Sequence, residues 1–402
     1  MNIDNSRVIS TGWKRKDRLH LRSATEVYWR GLQRNWAEKW RLHAILSVLP
    51  TIPNIRLLSL YNVDINEAQQ AIIFGISTLR TLVVHLCQFH LSTKPLPLSR
   101  VNALKFVRTG VKTIRRLLTL LATTVESLEV VYYVDPIRST LQDWLIELPK
   151  LSSFTTRCYG YVGSHAILDT FYQYKSITTI HILFERYPPE VSFHHTDLPA
   201  LRHVTCDQNL AVSLIPQRPV TTYVEARSSR EGGRWRLLNS LSKTRAKITN
   251  LKILVPHEYF SLLPSLATSL QHLEQLTVKS LHHDTGWSSH YFLSGRPPFI
   301  TPRAVVATLP KLKRITYWVN NYISTNFPLE EVVKTALVPV CPALEVFECL
   351  TFAYFSPDFE SDWLPEPTRA WKARRQPDGS WERQGPPPIP TPVPSKKLGA
   401  VP

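Results

Sequence analysis

Glycine is scarce in this chain, 13 in 402 residues, and the scarcity narrows its chemistry. Loops that cradle phosphate need glycines close together so that backbone N–H groups can converge on the anion. No G-x-x-x-x-G-K-[ST], G-x-G-x-x-G or G-x-S-x-G occurs. Cysteine is scarce too. Cys87, Cys158, Cys206, Cys341 and Cys349 are an odd set without a C-x-x-C pair, which argues against a disulfide framework and a zinc site of familiar spacing. No run of about 18 apolar residues exists to cross a membrane. The first 30 residues carry Lys14, Arg15, Lys16 and Arg18 followed by no unbroken apolar stretch, so they do not read as a secretory signal. The expectation is a soluble monomer in a reducing compartment, cytoplasmic or nuclear.

Catalysis and cofactors have no candidate constellation, and neither an enzyme nor a metal protein is expected. His85, Cys87 and His90 form an H-x-C-x-x-H, but Cys87 has another use described below. The pairs His194-His195 and His282-His283 are adjacent, so they point apart in extended chain and lack the i, i+4 spacing of helical zinc ligands.

What the chain does have is positive charge and leucine. Its 48 Lys and Arg against 31 Asp and Glu leave +17, of which the first 50 and last 42 residues supply +9. A basic balance attracts acidic partners and speeds association more than it sets specificity.

The leucines are periodic. The spacing L-x-x-L-x-L recurs as Ile55, Leu58, Leu60; Leu79, Leu82, Val84; Val101, Leu104, Phe106; Val125, Leu128, Val130; Leu151, Phe154, Thr156; Ile177, Ile180, Ile182; and Leu201, Val204, Cys206. These seven starts lie 24, 22, 24, 26, 26 and 24 residues apart, the period of a leucine-rich repeat. The phase loosens afterwards at Val220, Tyr223; Ile248, Leu251, Ile253; Leu273, Leu276, Val278; Leu312, Ile315, Tyr317; and Leu344, Phe347, Cys349, the Val220 unit being the weakest.

Apolar residues two apart share one face of a strand, so each triad predicts a short strand with its apolar face inward. Helical spacing follows at 66–76, 112–122, 140–148, 164–174, 234–242, 258–270 and 329–338, as in Ile114, Leu117, Leu118 and Leu121. The fold class expected is therefore an α/β leucine-rich-repeat solenoid, a horseshoe with parallel strands on the concave face and helices on the convex face. A generic parallel α/β domain would look similar but would not keep so even a period. In the fuller motif an Asn or Cys turns the chain three residues after the last apolar strand position, and Cys87, Asn209 and Asn320 stand there. Leu-Pro at Leu49, Leu148, Leu198 and Leu309 is expected to end helices, because the residue before proline is pushed out of the helical region.

The expected organisation is a disordered basic N-terminus at 1–20, an amphipathic capping helix within 21–50 built on Trp29, Leu32, Trp36 and Trp40, the repeat domain at 51–355, and a Pro-rich basic tail, mostly disordered, at 356–402. The tail's PPPIPTPVP favours polyproline II, and Pro387 and Pro390 meet the P-x-x-P spacing.

Function then falls to the strand positions between the apolar ones, which face away from the core. They include Tyr61, His85, Lys105, Arg157, His181, Lys252, Lys279, Arg314 and Trp318. This aromatic, basic and hydroxyl-bearing surface suits a protein with acidic features. A long interval between strands, carrying Trp287 and Tyr291, is a second candidate contact.

The lead-ins Leu148-Pro149-Lys150-Leu151, Leu198-Pro199-Ala200-Leu201 and Leu309-Pro310-Lys311-Leu312, with Cys-Pro-Ala-Leu at 341–344, resemble the divergent repeat region of fungal F-box proteins over roughly residues 45–355. The resemblance implies a substrate receptor of a cullin ubiquitin ligase, joined to a Skp-type adaptor through an F-box. The Leu-Pro-x-Glu-Leu opening of an F-box has no counterpart between Met1 and Leu49. The alternatives are a stand-alone repeat scaffold and a basic nucleic-acid-binding repeat protein.

Overall fold

The periodic triads become rows of a sheet. A computed structural model of the chain describes residues 7–10, 26–30, 46–90, 100–132, 147–158, 174–184, 197–226, 233–255, 270–280, 309–320, 341–352 and 367–384. Met1–Leu214 and Ile215–Pro402 are two compact units.

In the first unit the strands are β1 (Arg7–Ser10), β2 (Glu26–Arg30), β3 (Leu57–Tyr61), β4 (Asp64–Ile65), β5 (Thr81–His85), β6 (Gln88–Phe89), β7 (Ala103–Val107), β8 (Ser127–Tyr132), β9 (Ser153–Cys158), β10 (Thr179–Phe184) and β11 (His203–Cys206). All but β4 and β6 lie in one sheet in chain order, each parallel to the next. The register never slips. Leu58, Leu82, Leu104, Leu128, Phe154, Ile180 and Val204 pair across one row, and Leu60, Val84, Phe106, Val130, Thr156 and Ile182 across another. Just before the strands, Ile55, Leu79, Val101, Val125, Leu151, Ile177 and Leu201 are all 0% exposed. Each such side chain contributes roughly 1.5–3 kcal/mol by leaving water, and a one-residue slip would turn a whole strand's set outward. That penalty holds the register.

Two backbone devices join repeat to repeat. The carbonyls of Arg56, Arg80, Asn102, Glu126, Ser152 and Thr178 each accept two successive amides of the following repeat. At the far end of the strands Asn62, Leu86 and Arg108 sit in the left-handed region at φ 53°, 54° and 49°. That conformation costs an L-residue roughly 1–2 kcal/mol, yet it keeps each amide on the ladder, donating to His85, Val107 and Val131 carbonyls at 2.8, 3.1 and 3.0 Å.

The Leu-Pro lead-ins at Leu148, Leu198 and Leu309 are turns, and that at Leu49 is a single 3-10 turn, Leu49–Thr51, closing helical residues 46–48. The amides of Ile52, Leu151, Leu201, Leu312 and Leu344 donate to the carbonyls of Leu49, Leu148, Leu198, Leu309 and Cys341, three residues back. Proline's fixed φ suits the second position of such a turn. The first and last residues are buried in every case, so Leu-Pro-x-Leu carries two core side chains across a reversal.

Helices α1 (Glu67–Gly75) and α2 (Val111–Leu121) stand where the spacing placed them. Asn66 and Gln69 close a reciprocal capping box on α1, and Ile114, Leu117, Leu118 and Leu121 are the buried stripe of α2. A further helix, α3 (Gln208–Leu214), was not foreseen; Asp207 starts it by accepting the Leu210 amide at 3.0 Å. Asn209, expected to turn the chain, is instead an exposed residue of α3.

The second unit contains β12 (Thr222–Glu225), helix α4 (Gly233–Ser242), β13 (Asn250–Val255), β14 (Gln275–Ser280), β15 (Arg314–Asn320), β16 (Val346–Phe352), β17 (Pro367–Arg375) and β18 (Trp381–Gln384). Strands β12 to β16 run parallel in register, with Val220, Ile248, Leu273, Leu312 and Leu344 buried ahead of them. Asn320 is the last residue of β15, opposite Phe352. In the weak Val220 unit Glu225 takes the third apolar position. It is buried there, and its Oε2 accepts the Leu254 amide at 2.8 Å, continuing the ladder past the end of β12.

Both ends differ from expectation. Arg7–Ser10 is a strand where disorder is expected, and Glu26–Arg30, which the Trp29, Leu32, Trp36 and Trp40 spacing places in the capping helix, pairs with β3 as a repeat strand. Val27 and Trp29, two apart, are buried in the rows of Leu58 and Leu60, so period two prevails over the helical spacing. Leu32, Trp36 and Trp40 lie outside the described residues. In the anticipated tail β17 and β18 form an antiparallel hairpin that sets Ala373 opposite Phe347. Both residues are buried. Pro387, Pro390 and the PPPIPTPVP run lie outside the described residues.

Candidate functional site

Strand alternation leaves three rows per unit on the open face of the sheet, opposite the core. In the first unit the middle row runs Tyr28, Ser59, Val83, Lys105, Glu129, Thr155, His181, Thr205, and the row beside it Tyr61, His85, Val107, Val131, Arg157, Leu183. Tyr61, His85, Lys105, Arg157 and His181 thus share one surface.

They meet in pairs. The Tyr61 and His85 rings stack edge to face with centroids 4.4 Å apart. Lys105 Nζ lies 3.0 Å from Glu129 Oε1 on the next strand. Glu129 escaped the sequence reading although it sits between Leu128 and Val130, where the same alternation would have marked it. It matters, because it neutralises one of the bases assigned to the face. Arg157 is diagonal to His181. Burial and the adjacent guanidinium hold the imidazole down to about 4, so His181 is neutral at physiological pH and not one of the cations.

Arg157 has no such compensation. Its Nε is sealed from solvent and meets no hydrogen-bond acceptor among the described residues. Its row neighbours Val131 and Leu183 are apolar and buried.

On the second unit's open face Lys252 is partly buried, which lowers its pKa, and Arg314 is exposed. Lys279 and Trp318 are opposite each other in the β14–β15 register. Thr316 donates to Glu348 at 3.3 Å, and Glu348 stands opposite Lys372 of the hairpin. Trp287 and Tyr291 lie outside the described residues, as do His194, His195, His282 and His283.

The His85, Cys87, His90 motif is structural. Cys87 Sγ donates to the Leu60 and His85 carbonyls at 3.3 and 3.2 Å, and burial pushes the thiol up to about 11, away from the thiolate a metal needs. One repeat on, Thr109 Oγ1 makes the equivalent bonds to Val84 and Val107 carbonyls at 2.8 and 3.1 Å. A hydroxyl does the work of the motif's Asn or Cys. No helix among the described residues is long and apolar enough to cross a membrane.

No family model matches the chain, and no curated protein matches it. Among solved structures it is similar to a chain of the TLR13–ssRNA13 complex, with 12% identity and a TM-score of 0.30 over 84% of this chain. The match spans 56% of that chain's length. So distant a likeness assigns neither ligand nor role, and the repeat architecture stands on the register and burial described above.

Proposed function

Taking the leucine-rich-repeat architecture of each unit as the premise, we propose that the chain is a protein-binding module. It would capture a substrate on the open sheet face, in the manner of the receptor subunit of a fungal F-box-like ubiquitin ligase, as a monomer in the cytoplasm or nucleus. It would act by holding, without catalysis or a cofactor of its own. The observation that supports binding is the chemistry of that face in the first unit: hydroxyls, an aromatic pair and one uncompensated guanidinium, on strands whose other face is locked into the core. Side chains there can vary without disturbing the repeat, as a recognition surface requires.

The ligase context rests on the resemblance of the Leu-Pro-x-Leu lead-ins and is tested by mixing the full chain with a purified Skp-type adaptor. Co-elution in gel filtration is expected. Separate elution would leave the second reading, a stand-alone scaffold. Nucleic-acid binding is disfavoured by the Lys105–Glu129 pair and the neutral His181, which thin the cations of the first unit's open face. It would require affinity falling steeply with salt, with a log–log slope of several units.

A further inference from the structure

Residues equivalent in register fall on a line across the second unit, at the entrances to its strands. Pro219, Lys247, His272, Lys311 and Ala343 stand at equivalent places ahead of β12 to β16, each just before a buried apolar residue. The register reaches back to this line, because the carbonyls of Thr221, Thr249, Glu274 and Lys313 each accept two successive amides of the next repeat. Neighbouring strands lie roughly 4.8 Å apart. The basic side chains of Lys247, His272 and Lys311 therefore rise from adjacent ledges, the two lysines exposed and the histidine half-buried.

Among the described residues no carboxylate pairs with Lys247 or Lys311. Glu274, on the adjoining line, is taken by Lys313 at 3.3 Å. Lys311 Nζ instead lies 3.3 Å from His272 Nδ1. An ammonium can only donate, so Nδ1 accepts and the proton of the neutral ring sits on Nε2. The imidazole is held below its usual range by partial desolvation first, and then by the charges of Lys247 and Lys311. Two fixed charges thus stand beside a third group that an anion of sufficient charge would protonate.

We propose that Lys247, His272 and Lys311 form a site for a dianionic phosphoryl group. A phosphate monoester carries close to two negative charges at neutral pH and three strong acceptor oxygens. Its arrival offsets the two lysines, the ring takes a proton from solvent at Nδ1, and Lys311 is released from that nitrogen to donate to the ligand. A carboxylate brings one charge and two oxygens, too little to match three donors. A nucleic-acid strand repeats a single charge at every nucleotide and needs a track of free cations. Here the line of bases ends at Pro219 and Ala343, and the adjoining line carries Glu274 and Glu345.

The test is a nuclear magnetic resonance titration of the full chain, following the His272 ring, assigned by its loss in His272→Gln. Ac-Ala-pSer-Ala-NH2 and inorganic phosphate are each expected to shift that signal saturably and to raise the His272 pKa. Ac-Ala-Glu-Ala-NH2 should bind at least tenfold more weakly. Lys247→Gln and Lys311→Gln should each cost at least fivefold in phosphopeptide affinity while leaving the thermal midpoint unchanged. Lys150→Gln, which alters an exposed lysine at the equivalent place before Leu151, should cost nothing. Tighter binding of the phosphopeptide would identify the source as a phosphorylated protein; equal or tighter binding of inorganic phosphate would identify a small phosphate. The proposal is overturned if neither phosphate probe moves His272 at tens of millimolar, or if the Glu peptide acts equally. It is overturned too if a dT10 oligonucleotide saturates the signal at lower concentration than both phosphate probes, or if Lys150→Gln weakens binding as much as Lys247→Gln and Lys311→Gln do.

Discussion

The two units solve the same problem, a strand's third core position, with different chemistry. In the first it is apolar in nearly every repeat: Trp29, Leu60, Val84, Phe106, Val130 and Ile182 are all buried. In the second, Glu225 occupies that row beside Ile253 and Val278, and a buried carboxylate oxygen takes the next strand's amide. The first arrangement draws its stability from area removed from water; the second exchanges part of that for a charge-assisted hydrogen bond that extends a short strand. A repeat can therefore lose its leucine signature and keep its register, provided the substitute satisfies the backbone.

The largest test of that contrast is Leu128→Ala, which removes a buried side chain from the regular unit. A loss of about 2–5 kcal/mol by urea denaturation is expected. A loss under 1 kcal/mol would show that the first unit does not depend on its rows. His181 supplies the next, by pH. Its folded pKa, about 4, lies below the unfolded value near 6.5. Above pH 6.5 both states are neutral and stability is complete. As pH falls toward 4 the unfolded chain binds the proton and the folded chain resists it, so stability drops; below 4 the loss levels off. The difference between wild type and His181→Gln across that window is expected to reach no more than about 3 kcal/mol, and a flat difference would mean that the ring is solvated. Glu225→Ala leaves the Leu254 amide without its acceptor and should cost about 1–3 kcal/mol. Glu225→Gln, which retains an acceptor oxygen, should recover most of it. The smallest effect is Thr109→Val, which removes two hydrogen bonds from a buried hydroxyl. About 1 kcal/mol is expected, with Thr109→Ser close to wild type.

The core triads were legible because each repeat uses the same apolar spacing, and repetition raises a weak local pattern above chance. The lead-in turns are visible in the sequence as Leu-Pro-x-Leu, but their role as reversals flanked by two core residues is not; at Leu49 the expected helix end does occur, after helical residues 46–48, and the stretches before Leu148, Leu198 and Leu309 lie outside the described residues. Thr109 is not legible from a motif that asks for Asn or Cys at the turn, because the physical requirement is any small donor that reaches two carbonyls. The C-terminal hairpin carried its own signal. Pro377-Asp378-Gly379 separates two stretches with tryptophans, Gly379 has φ 84°, and Asp378 accepts both the amide and the hydroxyl of Ser380. On the open face, alternation named the right positions but not their charge states. Glu129 beside Lys105 and burial around His181 arise from neighbours across strands, which no single repeat contains.

The doubled carbonyl contacts have a mechanical corollary. In the first unit each repeat hangs on the previous one by a forked acceptor and a strand ladder, both roughly in line with the direction in which repeats add. A pull along that direction loads these joints in series, and every joint bears the same force. Extension should then proceed by rupture at the weakest repeat boundary, one repeat at a time, as a sawtooth in a force–extension trace.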